Sequence, residues 1–307
     1  MVRKIAVTGG HGFIAGYVIE YLKSLGIQPV TNVRHTEDNP VLKDVEVYNI
    51  DILDEGGIYS MCEHVDGVIH LAGLLGTTEN MTQAKILTDI NVNGALNVLN
   101  AVKNWNIGGV FIGVGNIGQL NPYTISKEMA ERYALMYAKY MGAKVNVVRA
   151  MNAIGPRQKW GKVNKVLPTF INKALRNEKI SVYGGKHDCG LMDYVYAGDV
   201  AKILVDTLID PEGAKKINTD DDYPYSYTPP FIYGNVYEAG QGIEITTYEL
   251  AQKVIELSES KSEILEIPMR LGEANRVRVV ADHRYPLEYI PLDEVIKRSI
   301  KYYRGLL

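Results

Sequence analysis

The sequence predicts an α/β fold: a doubly wound parallel sheet with helices on both faces, followed by a smaller C-terminal α/β substrate domain. Three observations predict it. Short apolar, β-rich runs alternate with helix-period runs over the first half of the chain, a glycine turn follows the first of those runs, and the alternation becomes irregular after about residue 160. With 307 residues, 46% of them hydrophobic, the chain can bury one large core or two unequal ones. The expected division is 1–160 for the sheet domain, with segments near 195–210 and 234–240 returning to it, and 161–307 mainly for the second domain.

A net charge of −3 and the lack of a basic block argue against nucleic acid as a partner. Cys62 and Cys189 lie far apart without metal-ligand spacing, so neither a metal nor a disulfide framework is expected. No signal peptide is read ahead of the first strand, and no apolar run reaches the ~18 residues a bilayer span requires. The expectation is a cytoplasmic protein that does not engage membranes.

The first strand, residues 5–8, runs into Gly9-Gly-His-Gly12, after which Ile14, Val18, Leu22 and Leu25 recur on one face of a helix. Strand, glycine turn and helix in that order form the setting of a Rossmann-type dinucleotide site, spaced here as G-x-x-G-x-x-A. Gly9 permits the tight turn, Gly12 lets a pyrophosphate approach the helix N-terminus beside Phe13 and Ile14, and Ala15 packs helix on strand. The second strand, 29–33, ends at Arg34 and His35. NAD-selective sites place a carboxylate there, whereas a guanidinium suits a 2′-phosphate; of NAD and NADP the expectation leans slightly to NADP, although Glu37 and Asp38 follow closely.

A third strand, 45–50, leads to Asp51 and Ile52, with Asp51 placed to accept a bond from an adenine amino group. A fourth, 67–71, ends at Leu71 and opens into Ala72 and Gly73, small residues that let the backbone pass close to a flat ligand. A long helix is expected from about 82 to 104, with Ile86, Ile90, Leu96 and Val98 facing the core. The fifth and sixth strands, 110–114 and 145–150, bracket another helix, and Met151 and Asn152 begin the exit from the sheet. Beyond lie expected helices at 165–177, 199–209 and 247–261, a strand at 180–183, and a Pro- and Tyr-rich loop at 219–230.

The helix between the fifth and sixth strands carries the chemistry. Asn121 suits its N-cap and Pro122 its first position, so Tyr123 and Lys127, one turn apart, share a face and can reach one bound molecule. An ammonium and a helix N-terminus near a phenol favour the phenolate, which makes Tyr123 a candidate acid/base with a lowered pKa.

Together Thr8-Gly-Gly-His-Gly12, Asp51-Ile-Leu-Asp54, His70-Leu-Ala-Gly73, Asn91-Val-Asn-Gly94, Tyr123-x-x-x-Lys127, Arg149-Ala-Met-Asn152 and Asp193-Tyr-Val-Tyr196 resemble the extended short-chain dehydrogenase/reductase family. The resemblance is to nucleotide-sugar epimerases of the UDP-hexose 4-epimerase type, over nearly the whole chain. It implies that Tyr123 is the acid/base on a sugar hydroxyl and that Lys127 holds the nicotinamide ribose. It further implies that Asn152 meets a substrate phosphate and Arg270 the pyrophosphate, that Thr77 and Glu79 belong to a loop lining the sugar, and that the protein is a homodimer.

Three departures qualify the resemblance. Gly113 stands where family members carry a Ser or Thr that bonds the reacting oxygen, leaving Asn116, Thr124, Ser126 or Thr77 to replace it. The segment joining the fifth strand to the Tyr123 helix is short, and Met192 replaces the arginine that precedes Asp193. The Asp-Glu pair that 4,6-dehydratases carry after the fifth strand is also absent. The first reading is an NAD(P)-dependent nucleotide-sugar epimerase. An oxidoreductase or dehydratase of the same fold and a non-catalytic dinucleotide sensor are the alternatives.

Overall fold

The structure, a computed structural model, describes residues 3–35, 37–160, 163, 165–215, 234–273 and 275–306. The chain begins β1 (Lys4–Thr8), α1 (Phe13–Ser24), β2 (Gln28–Val33), β3 (Glu46–Asn49), α2 (Glu55–Cys62) and β4 (Gly67–His70). It continues with α3 (Ala84–Thr88), a π-helical turn (Asp89–Asn93), α4 (Gly94–Asn104), β5 (Gly108–Val114), α5 (Pro122–Met141) and β6 (Lys144–Ala150). Beyond these lie β7 (Asn152–Ile154), α6 (Val166–Leu175), β8 (Ile180–Tyr183), α7 (Gly185–Asp188), β9 (Leu191–Met192), β10 (Tyr194–Tyr196), α8 (Ala197–Ile209) and α9 (Pro211–Lys215). The last elements are β11 (Val236–Ala239), β12 (Ile245–Thr246), α10 (Thr247–Leu257), β13 (Ile264–Ile267), β14 (Arg278–Val279) and α11 (Leu292–Arg304). The expected loop at 219–230 lies outside the described residues.

Seven strands form one parallel sheet in the order β11-β6-β5-β4-β1-β2-β3. Its strands alternate between two cores, as a period of two requires. Ile5, Val7, Ile69, Val110 and Val148 face α1 and α8, where Val18, Leu22, Ile203 and Leu204 wait. Ala6, Val68, Phe111, Val145 and Val147 face α2, α4 and α5. A third core joins α6, α10 and α11 with Ile180 and Val182 of β8, which pairs in parallel with β13.

The chain reverses its winding between β1 and β4, and an open sheet of this kind leaves a crevice at the carboxyl ends of those strands. Register brings Thr8 beside both Asn32 and His70 on that edge.

Two core assignments from the sequence are corrected. Leu25 is 44% exposed because α1 ends at Ser24 and Leu25 already belongs to the turn into β2. Ile86 is 48% exposed because the π turn at Asp89–Asn93 sets α3 out of phase with α4, whose Val98 is fully buried. The expected helix at 82–104 is therefore helical from Ala84, but not one unbroken α-helix, and α10 stops at Leu257 rather than 261.

Candidate active site

The glycine turn is built for close approach. Gly9 has φ +77°, and a Cβ there would stand 3.0 Å from the Cα of Ala72; one at Gly12 would stand 3.0 Å from the Gly9 carbonyl oxygen. The Gly9 N–H donates to the Oδ1 of Asn32 at 3.0 Å, while the Asn32 amide nitrogen donates to the Ile50 carbonyl, so one buried side chain ties the turn to the ends of β2 and β3. Gly12 caps α1 without offering a side-chain acceptor, and the first-turn N–H groups of Phe13 and Ile14 keep no side-chain partner there. Such a cradle fits a dinucleotide diphosphate.

Arg34 and His35 are exposed at the end of β2. Asp51 accepts the N–H of Leu53 at 2.9 Å within its own turn, and Ile52 is buried against Gly94. Met151 is also buried, packed against Gly115 and Gly240 where β5 and β11 leave the sheet. Asn32 and Thr8 were not singled out from the sequence, because their roles depend on strand register.

At the other end of the edge, Thr8 fixes the strand exit. Its Oγ1 accepts the N–H groups of Leu71 and Ala72, at 2.9 and 3.0 Å, and lies 2.9 Å from Nδ1 of His70. With both acceptor positions used by backbone donors, the Thr8 hydroxyl hydrogen points to Nδ1, and His70 is the neutral Nε2–H tautomer. Burial, reinforced by the Lys127 ammonium, pushes its pKa down to about 3.

Helix α5 begins as its sequence demands. The Asn121 Oδ1 accepts the Thr124 N–H at 2.9 Å, Pro122 follows, and Gly142 ends the helix in the left-handed region. Tyr123 is half-buried and Lys127 is buried. The expected lowering of the Tyr123 pKa is not found: burial pushes it up to about 12, and Lys127 is itself pushed down to about 8 by burial, with Glu131 acting in the opposite direction. Desolvating the phenolate outweighs any gain from the helix terminus, and the ammonium's electrostatic neighbours are His70 and Glu131.

Gly113 also needs correction. A Cβ there would lie 2.9 Å from Oε2 of Glu131 and 3.1 Å from Cγ of Arg149, whose side chains form a buried ion pair across α5 and β6. A hydroxyl on this residue would meet that pair, so Gly113 is a packing glycine.

All four candidate replacements already hold hydrogen bonds. Thr124 Oγ1 accepts from the Asn116 amide at 2.9 Å, Ser126 Oγ donates to the Tyr123 carbonyl and accepts from Asn91, and Thr77 Oγ1 donates to Glu273. Asn116, half-buried beside the head of α5, spends its own amide nitrogen on Thr124 and on Gln119. Asn91, the first residue of the Asn91-Val-Asn-Gly94 motif, also bonds both the N–H and the carbonyl of Leu74 and so clamps the loop after β4 onto α5.

That loop docks against residues 270–273. Thr77 meets Glu273 at 3.2 Å, Thr78 donates to the Leu271 carbonyl at 2.9 Å, and Glu273 holds the Arg270 guanidinium through two N–H groups. Arg270 lies 4.8 Å over the Tyr183 ring, and Glu79 is half-buried within electrostatic reach of Lys165. Asn152 faces elsewhere, its amide nitrogen 3.5 Å from the Met192 sulfur and 3.4 Å from the Asp193 carbonyl. Asp193 is structural: it accepts the N–H groups of Gln241, Gly242 and Ala281.

The family described as "NAD dependent epimerase/dehydratase family" matches residues 5–218. The chain belongs to the NAD dependent epimerase/dehydratase family. Among curated members, it is 27% identical over 296 residues to UDP-N-acetyl-alpha-D-glucosaminuronate decarboxylase of Bacillus cytotoxicus, covering 87% of this chain and 84% of that protein. It is 29% identical over 218 residues to a putative UDP-glucose 4-epimerase of Methanocaldococcus jannaschii, covering 64% of this chain and 71% of that one. In fold, it superposes on the UDP-glucose 4-epimerase of Thermus thermophilus in complex with NAD with a TM-score of 0.82 and 23% identity, over 99% of this chain and all of the other.

Membership of the epimerase/dehydratase family makes the protein an NAD-dependent enzyme, and the lean towards NADP gains no support. Among the described residues no helix is long and apolar enough to cross a membrane, and no group of His, Cys, Asp or Glu could hold a metal ion.

Proposed function

We propose that this enzyme epimerises a nucleotide sugar, with Tyr123 exchanging the proton of the reacting hydroxyl. The observation that carries the reading is one helix: α5 carries Tyr123 and Lys127, with Lys127 beside His70 at the carboxyl edge of the sheet where the Gly9–Gly12 cradle opens, while the loop of Arg270 meets the head of the same helix at Asn121. Gly9, Gly12, Phe13 and Ile14 would hold the diphosphate of NAD, with Arg34, His35, Asp51 and Ile52 at its adenosine end. Leu71, Ala72, Gly73 and Met151 would line the remainder of its path. Bound there, NAD would supply a reversible hydride acceptor for the sugar carbon.

The chain's own residues handle protons and orientation. Tyr123, neutral in the free protein, would act as the phenolate, its phenol oxygen taking the sugar hydroxyl's proton as hydride leaves the carbon and returning that proton when hydride comes back; Lys127, one turn along the helix, would supply positive charge that favours the phenolate before the transfer. Asn116, at the head of α5, would hydrogen-bond the reacting oxygen by exchanging its bond to Gln119 for one to the substrate. Thr77 and Glu79 border the sugar, and Asn152 and Arg270 the phosphates. The core of α6, α10 and α11 forms the substrate domain. Gly115, Asn116, Ile117 and Gly118 at the end of β5 provide no acid for eliminating water, which favours epimerisation over dehydration.

The protein is further proposed to be a cytoplasmic homodimer. Ile125, Met129 and Tyr133 lie one turn apart on the face of α5 opposite Lys127, at 44%, 38% and 37% exposure, and Ile86 adds another exposed apolar side chain. A second copy of the same helix is the self-complementary cover for such a stripe.

The test is an NMR time course with UDP-, GDP- and dTDP-hexoses and a trace of NAD, for wild type and Tyr123→Phe. One sugar should convert to its epimer, and the variant should lose about two to four orders of magnitude in rate. Tight NAD binding with every sugar unchanged would overturn the reading.

A further inference from the structure

The sheet-facing side of α5 stays charged beyond Tyr123. Lys127 and Glu131 stand one turn apart on an unbroken helix, each 7% exposed, so their Cβ atoms lie about 5–6 Å apart over the same part of the sheet. Beneath them Gly113 of β5 and Arg149 of β6 are register partners. The Glu131 carboxylate occupies the room that Gly113 leaves open, and there its Oε2 accepts Nε–H of Arg149 at 3.0 Å while its Oε1 accepts from Nη2. Both carboxylate oxygens are committed to one guanidinium.

The Lys127 ammonium stands otherwise. It is as deeply buried as Glu131, yet among the described residues it makes no hydrogen bond and no direct ion pair. Tyr123 shares its helix face, His70 on β4 is neutral beside it, and β5 brings the uncharged Phe111 and Gly113. Glu128 turns to the Gly118 N–H, Asp89 on the π turn accepts from Asn93, and Lys85 on α3 and Lys103 on α4 are exposed. Glu131 is the carboxylate left to balance the ammonium, and its influence is towards keeping the charge. A buried ammonium without a counter-charge sheds its proton.

We infer that Glu131 is the positioning residue for Lys127 and that Arg149 holds it back: the carboxylate supplies a counter-charge across one helical turn, while the guanidinium keeps it from bonding the ammonium, whose three N–H donors stay free for bound molecules. The inference rests on the role proposed above for Lys127. Without Glu131 the ammonium loses its balance. Without Arg149 the carboxylate swings onto the ammonium and cancels the charge that Tyr123 needs.

The test follows Lys127 directly, through the Cε resonance of isotope-labelled lysine that disappears in Lys127→Met, titrated in the free protein from about pH 6 to 10.5. Wild type is compared with Glu131→Gln, Arg149→Met, Arg149→Lys and the double variant Glu131→Gln/Arg149→Met, and thermal melts and the pH profile of sugar turnover are recorded for each. Wild type should titrate at about 8. Glu131→Gln should bring the midpoint down by about one unit, and Arg149→Met should move it up by about as much. Turnover in Glu131→Gln should survive at pH below the new midpoint and fall above it. Arg149→Met should be about tenfold slower although its ammonium is fully charged, and Arg149→Lys, which still holds one carboxylate oxygen, should recover most of that loss. The double variant leaves neither member of the pair buried alone, so it reports a midpoint below wild type even where a single variant fails to fold.

Midpoints that coincide in all of these proteins would overturn the inference and leave the proposed function standing. So would turnover that falls only in step with lowered melts, which marks the pair as structural. Midpoints displaced in opposite directions, in a wild type that converts no sugar, would support the charge balance and overturn the nucleotide-sugar reading alone.

Discussion

The Glu131 carboxylate lies where a side chain at Gly113 would have to go: a Cβ on that glycine would come within 2.9 Å of Oε2. Glu131 cannot withdraw, because it is paired with Arg149 at a place where the two side chains are 7% and 3% exposed. Gly113→Ser should therefore lower stability by about 1–3 kcal/mol and should not raise the epimerisation rate. Urea melts and initial rates measured side by side check this, and a faster, equally stable variant would return the missing hydroxyl to this position.

Acid stability isolates His70. Its pKa falls from 6.5 to about 3 on folding, so between those values the unfolded chain binds more protons than the native one and stability rises with pH. The contribution is complete above pH 6.5 and is lost as pH falls towards 3, at up to about 1.4 kcal/mol per pH unit. In His70→Asn, which keeps an acceptor for Thr8, the acid limb should be shallower than in wild type. Denaturation midpoints between pH 4 and 6.5 measure the difference; parallel limbs would mean that His70 is not held neutral.

What the sequence made legible was local. The glycine turn and the head of α5 could be read because each is set by residues within one turn of one another, with Asn121, Pro122 and Gly142 punctuating the helix. Whether Gly113 has room for a side chain depends on Glu131 and Arg149, which reach it only once α5 and β6 have packed. The Tyr123 pKa departs from the sequence expectation for a similar reason: spacing shows the nearby cation but not the burial, which is the larger effect.

The stripe of Ile125, Met129 and Tyr133 makes the assembly testable. Met129→Glu would place a carboxylate at the middle of a self-complementary apolar contact, where a partner copy brings its own to the same region. Light scattering coupled to size-exclusion chromatography should show wild type as a dimer and the variant shifted to monomer, with NAD binding kept. A monomeric wild type at micromolar concentration would remove the dimer from the proposal.

Lys127 should set function against stability. Its pKa drops from 10.5 to about 8, so below pH 8 the folded state carries a charge it has largely stripped of water. Between pH 8 and 10.5 the unfolded chain holds more protons than the native one, and stability rises with pH; below pH 8 the full penalty is present. Lys127→Met keeps the length of the stem and removes the charge, so it should stabilise the free protein at pH 7 by about 1–3 kcal/mol. That advantage should shrink as pH rises from 8 to 10.5, while epimerisation is lost across the whole range. Melts and rates over pH 7–10.5 decide it: a variant less stable than wild type at pH 7 would show that the contacts of the ammonium with its surroundings, Glu131 included, outweigh its burial.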